Sequence, residues 1–219
     1  MSMKTISLRA GLVLGLGMTL LPAAGLAPFA PVAHAQSAPA TAESAPVQAL
    51  YAALDKAQHM HSSFAERSQV VGAGVDQAFD LDAVLHASIG VRYQALAPAD
   101  KTKLLAAFRD FTIARYVSSF KPGTDARFTM KPGLENSPVG GNKIVNTYIG
   151  ADDSMPGTPL SYIMHSTPSG WKIVDVLLGD SRISQAAAQR SDFSSTLTSG
   201  GVSGLINVLE RKVKTFSND

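Results

Sequence analysis

The segment that decides the fold runs from Leu160 to Leu178 and reads LSYIMHSTPSGWKIVDVLL. Up to Met164 its apolar residues alternate with polar ones, the period of a strand that buries one face. Residues 167–170 contain the proline and glycine of a chain reversal. Residues 171–178 are almost continuously apolar and β-branched, as in a strand covered on both faces. We therefore predict a central antiparallel hairpin, with Trp171 buried at the start of its second strand.

Helical patterns precede and follow this hairpin. The other predicted elements are a helix over residues 47–60, a short helix with a loop over 63–77, a helix that Asp80 caps and Gly90 ends, a helix over 98–120, strands over 125–131 and 143–149, and helices over 183–197 and 202–214. Gly72 and Gly74 are the reason for predicting a loop in 63–77. This order predicts an α+β fold, in which a four-stranded, twisted antiparallel sheet packs against several helices.

The N-terminal residues are predicted to lie outside the folded domain. Lys4 and Arg9 form a basic start, residues 10–21 are apolar, and Ala33 and Ala35 form an A-x-A cleavage signal. We assign residues 1–35 to a cleavable signal peptide and residues 36–46, rich in Ala, Pro and Ser, to a disordered linker. Residues 47–216 then form a single domain.

Charge and cysteine content exclude several classes of protein. Of 19 basic and 17 acidic residues, only two basic ones precede the cleavage signal, so the remaining chain is balanced. No basic stripe indicates a nucleic-acid partner. The chain contains no cysteine, which excludes disulfides, thiolate metal sites and cysteine nucleophiles and suits a bacterial periplasm.

The sequence contains few motifs typical of catalytic or cofactor-binding sites. The nucleophile-elbow, P-loop, zinc-protease and dinucleotide-binding patterns are absent. His59 and His61 point to different faces of a helix and cannot share a metal, so we predict no metal site and no cofactor. Asp175 interrupts an apolar strand and must be paired or exposed at an edge. Either Arg182 or Arg190 satisfies it, or it acts as a general base in a pocket.

The segment FDLDAVLHASIGVRYQALAPADKTKLLAAFRDFTIARYVSSF resembles the periplasmic MlaC-type phospholipid carriers. Those proteins have Phe-Asp at a helix start, then a Gly, then a Pro-led helix that ends in aromatic residues. The strand WKIVDV and the segment GVSGL are similar to later motifs of that family. The segment QAAAQRSDF is more similar to the HpnM branch, which is associated with hopanoids.

The resemblance implies a periplasmic, non-enzymatic function in lipid transport, outer-membrane lipid asymmetry and toluene tolerance. The implied ligand is a phospholipid or a hopanoid, held without covalent bonds in an apolar cavity between sheet and helices. The implied partners are an inner-membrane lipid transporter and an outer-membrane lipoprotein complex, and we expect a monomer. The residues that we expect to line the cavity are Leu85, Phe108, Phe111, Tyr116, Tyr148, Tyr162, Met164 and Ile173.

Two alternatives remain open at the level of sequence. One is a small periplasmic enzyme with a cone-shaped cavity and Asp175 as base, which requires a second titratable group nearby. The other is an adaptor that only binds membrane complexes, which predicts a filled core. An elongated apolar cavity favours the carrier.

Overall fold

A computed structural model describes residues 41–150 and 157–218, where helices enclose one face of an antiparallel sheet. The elements are α1 (Ala45–Gln58), α2 (Phe64–Ala78), α3 (Leu81–Ile89), a 3₁₀ turn (Gly90–Tyr93), α4 (Pro98–Ser119), β1 (Arg127–Met130), β2 (Glu135–Asn136), β3 (Lys143–Gly150), β4 (Thr158–Thr167), β5 (Gly170–Leu178), β6 (Ile183–Ser184) and α5 (Gln185–Ser217). The predicted α+β class is confirmed. The predicted signal peptide lies outside the described residues.

The described sheet has six strands, so the prediction of four was wrong. Its order is β1-β3-β4-β5-β6, and β2 also pairs with β3. The two missed strands, β2 and β6, contain two residues each. A two-residue strand is too short to produce an alternating pattern, because its pairing is decided by neighbouring strands. Ile183, predicted to begin a helix, belongs to β6 instead.

The central hairpin, β4 and β5, carries a β-bulge. Met164 pairs with Ile173, whereas Ile163 pairs with Asp175, so Val174 is an extra residue in β5. Because of this insertion, Ile173 and Val176 both reach the core although they are three residues apart. The near-continuous apolar run of β5 is therefore explained by the bulge, and not by full cover on both faces. Trp171 is only partly buried.

Local capping signals set the helix starts. Ser63 and Glu66 form a reciprocal capping box at the start of α2. The carboxylate of Asp80 accepts a hydrogen bond from the backbone N–H of Ala83, as predicted for the cap of α3. Pro98 begins α4, which confirms the predicted helix.

Helix α2 continues through Gly72 and Gly74, where we predicted a loop. These glycines face neighbouring helices: a Cβ at Gly74 would lie 2.6 Å from the Cβ of Ala53 in α1. A Cβ at Gly72 would lie 3.3 Å from the side chain of Ile113 in α4. The glycines therefore permit close helix packing, which offsets their low helix propensity.

Helix α5 is kinked at the predicted break. Gly201 has φ 61° and ψ −163°, a backbone conformation that is open essentially to glycine alone. Leu205 and Leu209 are fully buried beyond the kink, and α5 packs against α4 and α3.

The core lies between the helices and the sheet. The hydroxyls of Tyr51 in α1 and Thr147 in β3 form a buried hydrogen bond at 2.6 Å across this layer. The ring of Tyr51 also makes an edge-on contact with Tyr162 of β4, with centroids 5.8 Å apart. Among the described helices, none combines the length and apolar character needed to cross a membrane.

Candidate functional site

Most of the predicted cavity residues meet in one interior. Six are buried in a single hydrophobic cluster between helices and sheet: Leu85, Phe108, Phe111, Tyr162, Met164 and Ile173. Tyr116 is partly buried and packs against that cluster, with its ring 6.2 Å from that of Phe79. The sequence pattern thus identifies a common interior face on α3, α4 and the central strands.

Tyr148 lies elsewhere. Side chains alternate along β3, and Thr147 points towards α1, so Tyr148 lies on the opposite face of the sheet. The ammonium group of Lys131 lies 5.2 Å from the centre of its ring. The structure therefore does not bring Tyr148 together with the other predicted residues.

The interior is closely packed. A pocket between α3, α4, β5 and the start of α5 has a volume of only about 10 Å³, at the lower limit for a single water molecule and far too small for an acyl chain. Phe108 and Tyr116 line it, together with Phe79 and Leu81. A filled interior is what the adaptor alternative predicts, so a carrier must open this layer to accept a ligand.

A larger groove lies next to this pocket. It has a volume of about 660 Å³ and is bounded by α2, α3, α4 and the turn between β4 and β5. We call it the Asp80 groove. Its apolar residues are Phe79, Leu81, Leu105 and Ala106. Its polar residues are Asp76, Asp80, Asp82, Thr102, Arg109, Thr167, Ser169 and Lys172.

The groove is built around the junction between α2 and α3. The backbone N–H of Asp80 donates to the carbonyl of Ile173 in β5 at 3.0 Å. The second carboxylate oxygen of Asp80 lies 3.0 Å from Nε2 of His165 in β4. Together with its cap of α3, these contacts fasten the helical layer to the central hairpin.

Ion pairs and helix ends set the charge of the groove. Arg109 donates two hydrogen bonds of 2.7 Å to Asp76, which joins α4 to α2 and raises the pKa of the guanidinium. The ammonium group of Lys172 donates to the carbonyls of Asp76 and Gln77, at 3.2 and 2.6 Å, at the end of α2. Lys172 thus neutralises part of the negative end of that helix.

Asp82 is held by a buried tyrosine. The hydroxyl of Tyr93, which is 5% exposed, donates to Oδ1 of Asp82. Burial, reinforced by this carboxylate, raises the pKa of Tyr93 well above that of a free phenol. Tyr93 therefore stays neutral and keeps its proton on the hydrogen bond to Asp82.

The groove and the interior pocket share a wall. Phe79 and Leu81 line both spaces. A movement of these two side chains would connect the open groove to the aromatic interior.

Asp175 has a structural role, and neither predicted arginine is its partner. Its carboxylate accepts hydrogen bonds from the hydroxyl of Ser184 and the backbone N–H of Ala186, at the start of α5. Arg182 pairs with Glu135 at 2.7 Å instead, and Arg190 donates to a carbonyl of α3. Arg115 and Tyr116 also line the pocket beside Asp175, whose carboxylate already accepts hydrogen bonds from its own β5–α5 surroundings.

Metal binding finds no support in the described ranges, where no group of three acidic or histidine side chains could hold an ion. The ring of His59 bonds to the carbonyl of Asp55 at 2.7 Å on an exposed helix end.

The comparisons with known proteins agree with this architecture. A family model described as MlaC protein matches residues 45–211. The chain belongs to the MlaC family. This assignment covers all of the described elements up to the last residues of α5. No curated protein matches the chain.

A solved structure has a similar fold. It is a phospholipid-binding protein from Ralstonia solanacearum, determined in complex with a phospholipid. Superposition of the two chains gives a TM-score of 0.67 at 17% sequence identity, and it covers 81% of this chain and 99% of that chain. At this identity the similarity shows a shared fold.

Sequence reasoning missed the polar residues of the groove. Asp76, Arg109 and Lys172 come from three elements that are distant along the chain, and no spacing in the sequence indicates that they meet. The signal that could have located the groove is the helix cap at Asp80, since the groove is built around the junction of α2 and α3 that this cap marks.

Proposed function

We propose that this member of the MlaC family is a periplasmic lipid carrier that binds one phospholipid or hopanoid without covalent chemistry. The observation that carries the proposal is the pair of residues Phe79 and Leu81, which separate an open groove from an aromatic interior. Each CH₂ group that leaves water contributes about 0.8 kcal/mol, so a carrier must offer acyl chains an equivalent apolar environment.

Loading requires the interior to open. The pocket of about 10 Å³ holds no chain, so the side chains around Phe108 must separate to admit one. The residues that would then contact lipid are those of the predicted interior face, apart from Tyr148. The head group would remain in the Asp80 groove, where polar side chains are available.

The cellular context belongs to the same proposal. A signal peptide over residues 1–35 would deliver the chain to the periplasm, and residues from 36 onward would act as a monomer. Lipid would pass between an inner-membrane transporter and an outer-membrane lipoprotein complex. The segment QAAAQRSDF supports a hopanoid of the HpnM branch as the ligand.

Native mass spectrometry of the secreted protein, followed by identification of extracted lipids, tests the proposal. We expect one lipid per chain. In Leu81→Trp, the larger side chain should block the shared wall and leave a folded protein with much less lipid. Ala99→Trp, at an exposed position in the first turn of α4, is the matched control and should carry as much lipid as the wild type.

The adaptor is the second candidate, because the interior is packed. It predicts wild-type protein free of lipid that still binds membrane complexes. Absence of lipid from the wild type, after expression in a host that supplies both phospholipids and hopanoids, would reject the carrier and leave the adaptor.

A further inference from the structure

The Asp80 groove has a charge pattern that distinguishes between lipid head groups. Its polar residues include three carboxylates, of Asp76, Asp80 and Asp82, and two cations, of Arg109 and Lys172. These five groups sum to one net negative charge. Such a groove repels a ligand that brings only negative charge.

Lys172 and Asp82 each keep one group able to bind a ligand. Both oxygens of Asp76 accept hydrogen bonds from Arg109, whose guanidinium has further donors beside Asp110. The two oxygens of Asp80 are engaged by Ala83 and His165. By contrast, Lys172 uses two donors on the carbonyls of α2, and an ammonium group has three.

Asp82 provides the complementary group. It is exposed, and among the described residues Tyr93 is its hydrogen-bond partner, through Oδ1. Oδ2 is therefore left for a ligand. Because the Tyr93 hydroxyl is fixed in the core, Asp82 is held in place before any ligand arrives.

We propose that the Asp80 groove binds a zwitterionic head group with a primary ammonium, as in phosphoethanolamine lipids. The phosphate contacts the remaining donor of Lys172, on β5. The ammonium contacts Oδ2 of Asp82, on α3. The inference rests on the proposed carrier function and adds the class of head group that the carrier selects.

Competition between two lipids tests this inference. Delipidated protein is incubated with vesicles that contain equal amounts of phosphatidylethanolamine and phosphatidylglycerol with identical acyl chains, and bound lipid is counted by native mass spectrometry. A charge-assisted hydrogen bond gained by only one lipid corresponds to a preference of about tenfold. We expect that preference for the ethanolamine lipid.

Asp82→Asn should reduce the preference to within about threefold, because it removes the charge that distinguishes the lipids. Asp100→Asn is the matched control: it makes the same change in the first turn of α4, outside the groove, and should keep the wild-type preference. Lys172→Gln should lower loading of both lipids, since both contain a phosphate.

The outcomes separate the two proposals. Wild-type protein that loads neither lipid overturns the head-group assignment, while the lipids extracted from the secreted protein decide whether it is a carrier at all. Protein that loads both equally, or an Asp82→Asn variant that keeps the full preference, overturns the head-group assignment and leaves the carrier standing. The wild-type ratio decides the question even if a variant fails to fold.

Discussion

At the scale of single residues, Asp80 does more than cap a helix, because it also joins that helix to the sheet. Its side chain joins the start of α3 to His165 of β4, and its backbone N–H adds a bond to β5. Removing the carboxylate leaves an uncapped helix end and a histidine without its partner.

We expect Asp80→Ala to lower the free energy of unfolding by about 1–3 kcal/mol. Urea denaturation measures the change. Asp100→Ala removes an acidic residue from the first turn of α4 without a cap or an ion pair, and should cost clearly less. Equal losses in the two variants would mean that the contacts of Asp80 contribute little.

The free energy of unfolding should depend on pH through the carboxyl group of Glu135. Hydrogen bonds from Arg182 and Asn146 lower the pKa of this carboxyl from 4.5 to about 2. Since the folded-state pKa is the lower one, the stabilisation is complete above about pH 4.5 and is lost as the pH falls towards 2. Both side chains are over 40% exposed, so the pair contributes below about 1 kcal/mol.

Glu135→Gln should therefore be slightly less stable than the wild type at pH 7, and the difference should shrink by pH 2.5. Chemical denaturation at both pH values measures it. A difference that is unchanged between pH 7 and pH 2.5 would show that the carboxylate charge is not the cause.

What the sequence predicts at this scale depends on how local the contact is. The cap at Asp80 was predicted because its partner, Ala83, is three residues away. The partners of Asp175 were not, because Ser184 and Ala186 meet it only after β6 pairs with β5. Trp171 was expected to be buried, but only the fold shows that it is partly exposed.

At the scale of elements, the two glycines of α2 are packing residues. Gly→Ala normally stabilises a helix interior by about 0.5–1 kcal/mol. At Gly74 the new methyl group would meet the Cβ of Ala53 at 2.6 Å, a contact that forces α1 and α2 apart.

We predict that Gly74→Ala destabilises the protein by about 1–3 kcal/mol, the usual cost of an overpacked core. Thermal unfolding followed by circular dichroism measures it. Gly200→Ala, also within a helix but with open space around the new Cβ, is the control and should be at least as stable as the wild type. A Gly74→Ala protein as stable as Gly200→Ala would contradict the close approach of α1 and α2.

The elements that the sequence predicted are the ones with strong periodicity or a clear cap. Helix α4 and the hairpin of β4 and β5 were predicted nearly residue by residue. Helix α2 was predicted too short, because glycine normally breaks a helix and the neighbouring helices that favour it here are unknown from sequence. The short strands β2 and β6 exist only as partners of longer strands.

At the scale of the whole molecule, the interior face was predictable and the groove was not. Apolar periodicity identifies residues that point inwards, whatever they contact there. The Asp80 groove combines residues from three helices and one hairpin turn, between Asp76 and Lys172. Its shape depends on how those elements are arranged in space, which periodicity does not encode.

Bound lipid should stabilise the folded chain, because a ligand that binds only the native state contributes about 2.7 kcal/mol at 100 times its Kd. For a domain of this size that corresponds to about 5–10 °C. We expect delipidation to lower the Tm by this amount and reloading to restore it. In Leu81→Trp the Tm should not respond to added lipid. An identical Tm with and without lipid in the wild type would contradict a buried ligand.

The kink of α5 has a consequence for inherited variation. Gly200 and Gly201 are adjacent, yet only Gly201 has the backbone conformation that other residues avoid. Every missense change at codon 201 therefore strains the junction between the two halves of α5, whatever the chemistry of the new side chain. Saturation mutagenesis should consequently show that alanine at position 200 leaves stability unchanged, whereas every substitution at position 201 lowers it.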